Sequence, residues 1–241
     1  MIVAIHQPQY LPWLPYCAKA AQCDLFVYLD TVQFQKNGVQ NRNQVKSAQG
    51  PRWLTVPVHA SLGDTLQRIR IAPQDWRKKH IQTVTQNYSR AEFHDLFDQE
   101  LRNILERPWE YLVDLNIAAT EWLFTHLSVT SRRVRASTLG ADGTKDDLVI
   151  DICEKVGADG YLSGHGAKAY QDESKFQARG ITLHYQTFES HSYRQCYPEQ
   201  GFVPDLSALD LLLNEGPAAG ARMISGGRKG RDAAPVELNR E

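Results

Sequence analysis

The polarity pattern divides the chain into short apolar runs and longer amphipathic ones. Residues 2–5 and 25–29 are continuous apolar runs of strand length, the pattern of strands buried on both faces. Between them, Leu14, Cys17, Ala18 and Ala21 recur at helical spacing and predict a helix over 12–23, with Pro15 acceptable only in its first turn. Residues 53–58 and 67–71 predict a pair of strands around the turn Ser61-Leu62-Gly63-Asp64. Apolar positions every three or four residues predict helices over 74–88, 91–105 and 109–127, with Pro108 separating the last two. Strands are expected at 133–136, from 161 onward, and at 181–185. A helix over 145–156 presents Leu148, Ile152 and Val156 on one face and stops at Gly157. Ser207 is the expected N-cap of a helix over 208–214, ended by Gly216 before Pro217.

Strands that alternate with helices at both ends of the chain predict an α/β fold. The expected architecture is a mainly parallel, Rossmann-like sheet carrying an inserted β-pair and a helical block at about 74–128, all in one domain over 1–224. Residues 225–241 are rich in Gly, Arg, Lys, Asp and Pro and are expected to be a disordered tail. The 241 residues suffice for a full core. A net charge of −1 argues against a strongly electrostatic nucleic-acid or membrane partner. No apolar stretch has the length of a membrane span, and the opening run is a strand rather than a signal segment. Cys17, Cys23, Cys153 and Cys196 form no C-x-x-C pair, as expected of reduced thiols in a cytoplasmic protein without a zinc site. The expected partner is a small-molecule substrate, and no particular cofactor and no metal is implied.

Four loops carry candidate chemistry. The first strand runs straight into His6-Gln7-Pro8-Gln9-Tyr10, an imidazole, two carboxamides and a phenol where α/β sheets bind ligands. His6 is expected to be a general base, because an ordinary imidazole is matched to neutral pH. Asp30, Gln33, Lys36, Asn41, Arg42, Asn43 and Lys46 follow the second strand. Asp30 is expected to orient the His6 ring or an acceptor amine, and the amides, with Gln7 and Gln9, to bond the substrate. Arg42 and Lys46 would hold a phosphate or carboxylate. Ser137, Thr138 and Lys145 stand with Gly140 and Gly143 between a strand and a helix, a candidate anion site that does not match the Walker A spacing. Ser163-Gly164-His165-Gly166 closes a later strand with a hydroxyl and an imidazole but lacks the G-x-S-x-G spacing of a hydrolase elbow. Cys153 falls on an apolar helix face, whereas Cys196 is the more accessible thiol but has no assigned base.

Several ordered motifs together carry a resemblance. His6-Gln7-Pro8-Gln9-Tyr10-Leu11-Pro12-Trp13, the run from Asp30 to Phe34, Gln40-Asn41-Arg42-Asn43, Trp53-Leu54-Thr55-Val56-Pro57-Val58, Tyr161-Leu162-Ser163-Gly164 with Tyr170, and Leu206-Ser207-Ala208-Leu209-Asp210-Leu211-Leu212 are similar to the WbqC-like family of bacterial proteins. The resemblance spans about 2–219. Pro15, where a glycine is usual, and Gly38-Val39, where a bulky aromatic is common, depart from it. The resemblance implies a role among surface-polysaccharide or other biosynthetic genes and an acyl or aminoacyl (glycine-type) transfer to a sugar or other small acceptor, and leaves open whether the substrate is carrier- or nucleotide-linked. It brings no agreed catalytic residue. Tyr170 enters the set of substrate-binding candidates with that motif. The alternatives are an adenylating enzyme of the HIGH nucleotidyltransferase type, by fold analogy alone, and a ligand-binding protein without chemistry.

Overall fold

A computed structural model describes residues 1–225, so the expected tail lies outside the described residues except for Ser225, the last residue of a helix. The strands of the central sheet are β1 (Ile2–His6), β2 (Leu25–Tyr28), β7 (Arg132–Arg135), β8 (Gly160–Ser163) and β9 (Thr182–Tyr185). They pair in parallel in the order β7-β2-β1-β8-β9. The chain therefore starts at the centre, winds outward through β2 and β7, then returns to the other side of β1 for β8 and β9. That is a doubly wound sheet whose direction reverses between β1 and β8.

Period-two alternation sorts the side chains between the faces. Ala4, Phe26 and Leu162 belong to one buried cluster, with α1 (Leu14–Ala21), α2 (Trp76–Tyr88), α3 (His94–Glu106), α4 (Leu112–His126) and α7 (Ala208–Ser225). Val3, Ile5, Val27 and Tyr161 belong to the other, with α5 (Lys145–Lys155) and α6 (Glu173–Gln177). His6 continues the parity of Ala4 and so projects toward α1. Ser163 continues that of Tyr161 and projects to the opposite face.

The inserted β structure differs from expectation. Residues 42–46, expected at the end of a polar loop over 31–46, lie instead in β3 (Arg42–Ser47), a hairpin partner of β4 (Gly50–Thr55). The Trp53 strand thus pairs upstream, and only β5 (Val58–His59) and β6 (Arg70–Ile71) pair around the predicted turn. The pattern concealed β3 because its buried residues include Asn43, Lys46 and Ser47. Helix α7 also runs further than expected. Gly216 breaks it at φ 76°, and the chain resumes helix as far as Ser225. A Cβ at Gly216 would lie 2.6 Å from the Phe93 ring, so both backbone and space demand glycine.

Candidate functional site

The β1–β8 ladder ends at Ala4–Leu162, while the β1–β2 ladder continues to His6–Tyr28. A cavity of about 570 Å³ lies beyond this point. It is walled by His6, by Trp13, Pro15, Tyr16 and Lys19 around α1, by Gly164-His165-Gly166 after β8, and by Gln186-Thr187-Phe188-Glu189 after β9. It occupies the reversal of strand order at the carboxyl ends of the strands, the position where open α/β sheets bind ligands.

His6 is half-buried, edge-on to Tyr16 with ring centroids 4.7 Å apart. Its Nδ1 lies 3.2 Å from the Gln7 carbonyl oxygen. A carbonyl only accepts, so Nδ1 carries the proton and Nε2 is left as an acceptor with no hydrogen bond among the described residues. Burial and the nearby Lys19 charge push the imidazole down to about 3, the Gln7 carbonyl opposing them. The expected match to neutral pH is therefore corrected: the resting ring is neutral throughout the physiological range.

Lys19, which the sequence reading missed, is 3% exposed and donates from Nζ to the Ile5 carbonyl at 2.9 Å, just past the last β1–β8 pair. Burial lowers its ammonium to about 8. The available signal was its solitary charge in Leu14–Ala21, a helix otherwise apolar or aromatic.

Of the expected site residues, His6 and His165 line this cavity. The others have different partners. Both Asp30 oxygens are taken by Ser137, its amide at 2.9 Å and its hydroxyl at 2.7 Å. Asp30 therefore ties the end of β2 to the turn after β7 and makes no hydrogen bond to His6. Ser137 is occupied by the same latch, and Thr138 Oγ1 donates to the Arg135 carbonyl. Lys145 is exposed at the start of α5, whose first turn carries Asp146 and Asp147, a field that repels an anion. Gln7 accepts from Gln40 at 2.6 Å, and Gln9 is buried with its Oε1 unbonded. Asn41 and Asn43 donate to the Val56 and Leu11 carbonyls at 2.9 and 2.7 Å. Arg42 bonds the Asn37 carbonyl and stacks 4.3 Å over Trp53. Lys46 is fully buried on Gln195 and the Gly201 carbonyl. Gln33 and Lys36 are exposed, Gln33 bridging to Thr65 through its main chain. Ser163 donates to Gln171 at 2.6 Å, and Tyr170 is 76% exposed. Cys196 sits 3.3 Å from Asn214 Oδ1 with its thiol pushed up by burial and by Asp210, which disfavours the thiolate.

Tyr10 is fully buried, and its hydroxyl bonds His80 Nδ1 at 2.9 Å. Burial lowers the His80 ring to about 4 against the opposing bond to the Thr55 backbone. This gives a pH prediction. Below the unfolded value near 6.5 the unfolded chain binds a proton that folded His80 refuses. The His80 contribution to stability is therefore complete above about pH 6.5 and falls by about 1.4 kcal/mol per unit down to pH 4, about 3 kcal/mol in all. Urea denaturation at pH 7 and pH 4.5 measures this, and His80→Gln is expected to reduce the slope without abolishing it, because His6, held at about 3, adds a loss of the same sign. An unchanged slope in that variant would remove His80 as its source.

Among the described residues, no three of His, Cys, Asp or Glu gather as a metal cluster, and no helix is long and apolar enough to cross a membrane. No solved structure matches the chain. An uncharacterized protein of Mycobacterium tuberculosis is 32% identical over 222 residues, covering 90% of this chain and 95% of that protein. The family model of the WbqC-like protein family matches residues 7–222, which take in the sheet strands after β1, the inserted hairpin and the cavity wall other than His6. The chain belongs to the WbqC-like protein family.

Proposed function

We propose that this protein is a biosynthetic transferase that moves an acyl or aminoacyl group onto an amine or hydroxyl of a small molecule or sugar. One observation carries the reading: an uncharged imidazole of fixed tautomer, Nε2 unbonded, on the wall of the switch-point cavity. The acceptor N–H or O–H gives its proton to His6 Nε2 while its lone pair attacks the donor carbonyl carbon. The C=O π electrons move to oxygen. Collapse of the tetrahedral intermediate re-forms the carbonyl and expels the donor's leaving group, which takes the proton back from His6. At rest His6 is a weak base, partly because of Lys19. Negative charge gathering on the carbonyl oxygen offsets the Lys19 field, so the ring gains basicity as the acceptor attacks.

The sheet order supports a second reading, adenylation, because doubly wound sheets bind nucleotides at this reversal. Against it, α1 has Pro15 in its first turn, which removes an amide that a phosphate would use. A thermal-shift panel of coenzyme A thioesters, free amino acids, nucleotide sugars and ATP separates the readings. A ligand at a hundred times its dissociation constant adds about 2.7 kcal/mol. The expected hit is a thioester or an amino acid that yields a mass-shifted acceptor on incubation. Stabilisation by ATP with pyrophosphate release would replace transfer by adenylation, and binding without any product would make this a ligand-binding protein.

A further inference from the structure

We propose that Lys19 anchors a permanently charged oxyanion, a carboxylate or a phosphate, of the molecule that occupies the switch-point cavity. The inference rests on that cavity being the ligand site, as the transfer reading does, but on no reaction.

Lys19 is 3% exposed, and no ion pair among the described residues includes it. Its Nζ makes one hydrogen bond, to the Ile5 carbonyl, and lies 5.8 Å from the centre of the Tyr161 ring. An ammonium has three donors, so its hydrogen-bonding capacity is far from filled. A buried charge without a counter-charge is costly unless something compensates it. Nothing in α1 compensates it, since its neighbours are Tyr16, Cys17, Ala18 and Ala20, all fully or almost fully buried. Methionine would fill the same space with no charge to desolvate. Lys19 nonetheless lines the cavity, among Trp13, Tyr16 and Phe188, whose low polarity strengthens any attraction to an anion there.

The rest of the lining orients that anion. Glu189 is exposed, and its carboxylate excludes negative charge from the outer part of the cavity. His6 offers an acceptor at Nε2. The cavity therefore suits a molecule with its oxyanion at Lys19 and an N–H or O–H beside it at His6. Burial, which lowers the Lys19 ammonium to about 8, is opposed by a bound anion.

The test titrates inorganic phosphate, acetate and glycine separately into wild type, Lys19→Met and Lys19→Arg, following thermal unfolding. Wild type is expected to show a saturable rise in Tm with at least one probe. Lys19→Met is expected to lose at least tenfold in apparent affinity, with a ligand-free Tm equal to or above that of wild type. Lys19→Arg is expected to keep part of the response. A response to phosphate alone, or to the carboxylates alone, distinguishes the two sources of the oxyanion. An equal response in Lys19→Met, or none in wild type, overturns the proposal. So does a ligand-free Tm well below wild type in Lys19→Met, which would make the bond to Ile5 structural. Carbon-13 titration of the Lys19 side chain in wild type gives a check independent of folding in the variant: saturating anion must raise its midpoint, and an unchanged midpoint counts against the anchor. Anion binding with no transfer in any assay would sink the transfer reading and leave this one standing. Transfer with an anion-insensitive Lys19 would do the reverse.

Discussion

Asp210→Ala is expected to cost about 3–5 kcal/mol of folding stability. The Asp210 carboxylate is fully buried in α7 and accepts from Tyr88 at 2.5 Å, Tyr193 at 2.7 Å and Gln195 at 2.9 Å. Burial pushes its pKa up, while the two phenols, Gln195 and the Lys46 charge pull it back. Lys46, fully buried in β3, donates to the same Gln195 and to the Gly201 carbonyl. Removing the carboxylate strands two phenol donors and leaves a buried cation without its counter-charge. At 2–4 °C per kcal/mol for a chain of this size, Tm falls by about 10 °C. Thermal and urea unfolding followed by circular dichroism measure it. The double variant Asp210→Ala with Lys46→Met is expected to lose less than the two single losses added together, because it removes both charges. Strict additivity would mean that the two groups do not interact. The network matters for function because it joins β3, α2 and α7 to Tyr193 and Gln195, which follow directly on the 186–189 wall of the cavity.

This network shows why part of the candidate site was illegible in the sequence. A carboxamide or cation that stitches main-chain carbonyls uses the same chemistry as one that holds a ligand. Asn41, Asn43 and Lys46 looked like ligand groups because they are polar and crowded, yet their hydrogen bonds go to Val56, Leu11, Gln195 and Gly201. Asp30 was placed at the end of a strand, as expected, but its partner Ser137 lies 107 positions away, a pairing that spacing does not reveal. Lys46 and Asn43 also hid β3, since buried polar residues erase the alternation that marks a strand.

What was legible depended on local periodicity. The continuous apolar run of β1 placed His6 at a strand end, and the three- and four-residue spacing located α2, α3 and α4 to within a few residues. One further step was available without a structure. Tyr161 and Ser163 share a face by parity, so whichever face takes Tyr161 takes Ser163, and the Ser163 hydroxyl meets Gln171 rather than the cavity. Lys19 was different. A lone lysine on an apolar helix usually extends its charge to water. Only the docking of α1 on the end of β1, a tertiary fact, puts its Nζ on the Ile5 carbonyl.

His6→Gln is expected to lower turnover about 10²–10⁴-fold, the usual contribution of a positioned acid–base group. The carboxamide keeps a polar side chain at the cavity wall but cannot take a proton at neutral pH, so KM should change far less than kcat. The pH profile of kcat/KM tests the assignment further. Transfer requires neutral His6, which protonates at about 3, and, with Lys19 as the substrate's anchor, a charged Lys19, which loses its proton at about 8. Wild type should therefore be flat from about pH 5, where the His80 contribution to stability is only partly lost and the fold persists, up to pH 8, and should fall tenfold per unit above it. Lys19→Met should lose that alkaline limb while His6→Gln retains it at a lower level. A rise of kcat/KM with a midpoint near 6.5 would describe an ordinary, solvated imidazole and would exclude the buried ring as the base. Unaltered turnover in His6→Gln would remove His6 from the chemistry altogether and leave Lys19, His165 and Glu189 among the cavity's candidates for proton transfer.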